Sequence, residues 1–110
     1  MRRIRALTPT SHFVHVAGAE IHYLHWPNVD RPPLVLIHGH AAHAHWWDAV
    51  AFYLHDAFDL YAIDLSGCGE SEHRPIYTYP LFTEEISALC RHAKITRPTL
   101  VGHSLSLIHI

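Results

Sequence analysis

The chain has little that would tie it to a charged partner or to a lipid bilayer. Its 110 residues hold 8 Lys or Arg against 10 Asp or Glu, a formal charge of −2. That balance provides neither the basic footprint of a nucleic-acid or anionic-membrane binder nor an acidic tail. No apolar run approaches the roughly 20 residues that cross a bilayer. The basic start MRRIRALTPT runs into polar SHFVH, where a secretory signal would carry its apolar stretch, so a cytoplasmic location is expected. Cysteine is scarce. Cys68 and Cys90 make neither a disulfide framework nor a CxxC pair, and both are expected as buried thiols. Internal repeats are missing, and the one biased tract is a histidine-rich stretch at 38–45. Charged residues make up only 16 % and apolar residues 49 %, which excludes a disordered chain, and the length allows one domain at most.

What is present is a strict alternation of short apolar runs and helical stripes. Phe13, Val14 and Val16 precede a turn at Gly18, and Ile21, Tyr23 and Trp26 follow it, which predicts a half-buried β-hairpin at a sheet edge. The prolines of Pro27–Pro33 act as punctuation, since consecutive prolines suit neither a helix interior nor a central strand. Leu34–Ile37, Leu60–Ile63 and Thr99–Val101 are continuous apolar runs of the kind covered on both faces in a parallel sheet. Between them lie two helical stripes. One runs from Ala44 to His55 through Trp46/Trp47, Val50/Ala51 and Leu54. The other starts near Pro80 and runs through Phe82, Ile86, Leu89/Cys90 and Ala93. Strand, helix, strand, helix, strand after a hairpin predicts an open, mostly parallel α/β sheet, whose ligands bind beyond the carboxyl ends of the strands. The loops there are HGHAAHAH, DLSGCGES and GHS, so glycines, hydroxyls and histidines gather at one rim.

These three loops resemble those of the α/β-hydrolase superfamily, in the same order and each at a strand end. Val101–Leu105 is similar to its nucleophile elbow G-x-S-x-G, with Gly102 as the first glycine and Ser104 as the serine; Ser106 stands where a second glycine is usual. LVLIHGHAAHAHWW is similar to the strand and His-Gly loop, and LYAIDLSGCGESEHR to the strand and D-x-R/S-G-x-G-x-S loop. The resemblance covers about residues 12–104. It implies an α/β fold and a serine hydrolase whose nucleophile is Ser104. The backbone N–H groups of His40 and Leu105 would form the oxyanion hole. His38, Gly39, Asp64 and Gly102 would be structural supports. The implied reaction is acyl transfer to water from a small apolar ester or related carbonyl compound. The partner is a small-molecule substrate, and no cofactor is implied.

A serine hydroxyl needs an adjacent base, and this fold supplies the acid and the histidine after the serine. Six residues follow Ser104, none of them acidic. The last six, LSLIHI (Leu105–Ile110), resemble the translation of a transposon-end adaptor used in preparing sequencing libraries. Residues 1–104 are therefore expected to be the N-terminal part of the domain and 105–110 an artefactual tail. The 110 residues alone are expected to be inactive.

Thirteen histidines invite other readings. His38, His40 and His43 have the H-x-H-x-x-H spacing of zinc hydrolases of the metallo-β-lactamase type, although Ala42 stands where those enzymes carry an acid. A zinc-dependent hydrolase on these three residues is one alternative, and a non-catalytic interaction module is another. His12, His15, His22 and His25 fall on the hairpin and are expected to be solvated. Trp46 and Trp47 either pack the helix or line a pocket. Ser66 and Ser71 are expected to bond nearby backbone.

Overall fold

The computed structural model describes residues 8–38 and 43–102. Five strands form one mixed sheet: β1 (Thr10–Val16), β2 (Ala19–Trp26), β3 (Pro33–Ile37), β4 (Asp59–Ile63) and β5 (Thr99–Gly102), in the order β1-β2-β4-β3-β5. β1 and β2 pair antiparallel through a two-residue turn. Ala17 and Gly18 both have positive φ (46° and 87°), the geometry whose twist matches a hairpin. β2 also runs antiparallel to β4, whereas β3 runs parallel to both β4 and β5.

The unbroken apolar runs are explained by cover on two sides. Val35, Ile37, Tyr61 and Ile63 share a core with Ile86 and Leu89 of α2 (Tyr79–His92). Their neighbours Leu34, Leu36, Leu60 and Ala62 pack on Ala44, Trp47 and Ala51 of the opposite layer. Helix α2 begins as its sequence suggests: the Leu81 N–H donates to Thr78 Oγ1 at 3.2 Å, and Pro80 lies in the first turn.

Several expectations need correction. β1 is the sheet edge, but β2 lies inside the sheet and is buried at six of its eight positions, so the hairpin is not uniformly half-buried. The Ala44–His55 stripe is broken into a 3₁₀ turn (Ala44–Trp47) and a short α1 (Asp48–Leu54). Its inner face is Ala44, Trp47 and Ala51, while Val50 points outward. Pro33 opens central strand β3, where a first residue can forgo its ladder N–H. β5 is not buried: it is the other sheet edge, with Leu100 50 % and Val101 39 % exposed. Cys68 and Cys90 are half-buried rather than buried.

Candidate functional site at the carboxyl ends of the strands

Parallel pairing sets the ends of three strands level. Ile37 of β3 lies beside Ile63 of β4 on one side and Gly102 of β5 on the other. The segments that run on into the His-Gly, glycine-loop and G-H-S motifs therefore start from one rim. His38 and Asp64 are the first residues beyond β3 and β4. Gly102 closes β5 and is exposed. Gly39, His40, Ser104 and Leu105 lie outside the described residues.

Asp64, only 3 % exposed, ties three segments together. Its Oδ1 accepts the Ala44 N–H at 2.5 Å, where the chain enters the 3₁₀ turn after the His-Gly loop. Its Oδ2 accepts the Glu70 N–H at 3.0 Å and His22 Nδ1 at 2.7 Å. Burial by itself would raise the Asp64 carboxyl; the hydrogen bonds from His22, Ala44 and Glu70 outweigh it and hold the carboxyl below its ordinary value. The glycine loop can close over this carboxylate only because Gly69 has no side chain. Its φ is +52°, and a Cβ there would collide with the Asp64 carboxylate. Ser71 completes the seam: its Oγ donates to the Asp64 carbonyl at 2.5 Å and accepts the His22 N–H at 2.7 Å.

His38 is 1 % exposed, and its Nε2 accepts the Leu65 N–H at 3.0 Å. The ring thus joins the His-Gly loop to the glycine loop. An acceptor Nε2 puts the proton of a neutral ring on Nδ1, which leaves neither nitrogen as a metal ligand. His43 is exposed, and His45 is exposed and paired with Asp48 at 3.0 Å. Among the described residues no cluster of three or more His, Cys, Asp or Glu is placed to hold a metal ion.

Two buried charged groups escaped the sequence reading. Glu85 is fully buried on α2; its Oε1 accepts the Ser66 N–H and its Oε2 the Arg74 Nε–H, both at 2.8 Å. Arg74 also donates to the carbonyls of Val16 and Ala17 at 2.7 Å, tying the end of the glycine loop to the hairpin. The signal was present: Glu85 falls between Phe82 and Ile86 on the apolar stripe, where an unpaired carboxylate would be costly. Ser66 corrects another expectation. Its backbone is bonded, but its buried Oγ has no hydrogen-bond partner among the described residues.

The hairpin histidines also depart from expectation. His22 is wholly buried against Asp64 rather than solvated. His25 is half-buried, stacked on Tyr61 at 4.1 Å and bonded to Asp59 at 2.8 Å. His12 stacks on Tyr23 at 5.0 Å. Burial, then the neighbouring His25, His92 and His22, lower its basicity. His15 is exposed. Trp47 is core, whereas Trp46 is 48 % exposed and meets the Trp47 ring edge-on at 5.5 Å.

The sequence profile described as the alpha/beta hydrolase fold matches residues 32–105. An uncharacterized hydrolase, YugF of Bacillus subtilis (strain 168), is 33 % identical over 104 residues, which cover 93 % of this chain and 38 % of the relative. Among solved structures, a bacterial membrane phospholipase A superposes with a TM-score of 0.82 at 28 % identity, covering 94 % of this chain and 34 % of its own. A thioesterase domain from the curacin biosynthetic pathway gives a TM-score of 0.80 at 26 % identity, covering 89 % of this chain and 36 % of its own. The chain therefore spans little more than a third of each of these three proteins.

Proposed function

As the chain belongs to the α/β-hydrolase family, we propose that it carries the nucleophile and oxyanion hole of a serine hydrolase acting on a small apolar ester or thioester. The observation that favours this reading is the common rim: Ile37, Ile63 and Gly102 are level, so the loops of His40 and Ser104 start side by side. Ser104 attacks the acyl carbon, and the N–H groups of His40 and Leu105 stabilise the developing oxyanion. Losing one such donor costs about 2.7–4 kcal/mol of activation free energy. In this fold the base and its acid follow the serine, so they are to be sought in the longer reading frame rather than among the residues before Ser104. The 110 residues alone do not turn esters over. His38 and Asp64 act by holding the rim, since their polar atoms are committed to Leu65, Ala44, Glu70 and His22. The zinc alternative on His38, His40 and His43 loses support because both His38 nitrogens are unavailable to a metal in the neutral ring.

The test is steady-state ester hydrolysis by the longer reading frame that contains this segment. Ser104→Ala should lower kcat by orders of magnitude with an unchanged melting temperature. Unchanged turnover would remove the serine mechanism and return attention to the histidines.

A further inference from the structure

We propose that Ser11 is a second reactive serine, activated by His22 and Asp64, that accepts an acyl group from activated esters at the outer edge of the sheet. Ser11 Oγ lies 3.0 Å from His22 Nε2, and His22 Nδ1 lies 2.7 Å from Asp64 Oδ2. The register explains the meeting. Phe13 is opposite His22, so Ser11, two residues earlier, is the diagonal neighbour on the same face. An ionised carboxylate only accepts hydrogen bonds, so the Nδ1 proton of a neutral ring points to Asp64. Nε2 then presents its lone pair to the serine hydroxyl. A nucleophile, a base within hydrogen-bond reach and a group that orients the base are the three parts of an activated serine.

The surroundings separate the parts suitably. His22 has no exposed surface, which shields the base from water, whereas Ser11 is open to reagent on edge strand β1. Phe13 is 45 % exposed, and its ring lies 4.9 Å from the His22 ring, giving an aryl ester an apolar seat beside the hydroxyl. Thr10 is the natural contrast. It too meets a histidine, with Oγ1 2.8 Å from His12 Nε2. However, the Thr10 hydroxyl donates to the His25 carbonyl at 3.3 Å, and no carboxylate backs His12 among the described residues.

In the step, Ser11 Oγ attacks the ester carbonyl carbon and forms the new C–O bond while its proton passes to His22 Nε2. The bond from the acyl carbon to the phenolic oxygen breaks, and phenolate leaves with the electron pair. The departing phenolate oxygen, beside the ring, takes the proton from His22 Nε2 and leaves as the phenol, so His22 returns to its neutral form. No oxidant, reductant or metal is needed. Asp64 acts as a positioning residue and His22 as the base.

The experiment uses the full chain carrying Ser104→Ala, p-nitrophenyl acetate as probe, and peptide mapping by mass spectrometry over time. Removing Ser104 makes the outcome independent of the rim nucleophile. Acetylation of Ser11 should run at least about tenfold faster than that of Thr10, a conservative figure beside the roughly 10²–10⁴ that general bases contribute. It should also show a normal solvent deuterium isotope effect, because the hydroxyl proton moves in the step. His22→Gln should bring Ser11 down to the Thr10 rate; if that variant fails to fold, the isotope effect on the His22 chain decides. Equal labelling of Ser11 and Thr10, or faster labelling without an isotope effect, would overturn the proposal and leave Ser11 as a cap on a buried imidazole.

Discussion

Arg74 and Arg97 are the same side chain at opposite ends of one sheet. Arg74, at the carboxyl-end rim, is nearly buried, paired with a fully buried Glu85 and bonded to two backbone carbonyls. Arg97 lies exposed at the amino ends of β3 and β4, where with Arg31, Lys94 and Asp59 it lines an open cavity of about 300 Å³. At the rim, ionisable groups are removed from water and given backbone partners, so they fix loops. At the amino end the cations stay solvated. Asp59 is the exception, held by His25, Asn28 and Tyr61. This cavity lies at the end away from the family's loops. Buried polar bonding distinguishes the rim from which the three motif loops start.

The largest effect that would break this contrast is Arg74→Ala. It strands a buried carboxylate and should cost about 3–5 kcal/mol in urea unfolding. Gly69→Ala comes next. A left-handed alanine driven into the Asp64 carboxylate should cost about 2–3 kcal/mol by the same measurement.

Acid gives a third handle. Because Asp64 is held below its ordinary value of 3.8, the folded rim keeps the carboxylate where the unfolded chain already takes up a proton. The Asp64 contribution is therefore full above about 3.8, falls as pH drops below it, and is gone once the folded carboxyl itself protonates. Unfolding at a series of acidic pH values should show this decline, and it should be smaller in Asp64→Asn. The smallest effect sharpens the comparison: Arg97→Ala should shift stability by no more than about 0.5 kcal/mol, as a solvated surface substitution does.

Legibility in the sequence followed the range of the interactions. β3 and β4 could be read because cover on two faces leaves an unbroken apolar run, and α2 because its stripe and first-turn proline are local. Thr78, Pro80 and Leu81 are neighbours in the chain, and so are Ala17 and Gly18. The rim was legible only as motifs. Asp64 meets Ala44 across 20 residues and His22 across 42, and Glu85 meets Ser66 across 19. No periodicity encodes such pairs. His22 was read as solvated because alternation in a hairpin assigns faces but does not say that a glycine loop will cover one of them. β5 has the apolar run of a strand covered on both faces, yet it lies at the sheet edge and is exposed. A run of apolar residues reports a tendency to be covered, and among the described residues only β3 pairs with β5.

The most direct measurement of the central claim is the position and stoichiometry of a fluorophosphonate adduct on the longer reading frame, mapped by peptide mass spectrometry alongside loss of ester hydrolysis. An adduct on Ser104 that forms in step with inactivation, and is missing from an inactive Ser104→Ala, is the expected result. Full inactivation with Ser104 unmodified would contradict a rim built to present that serine.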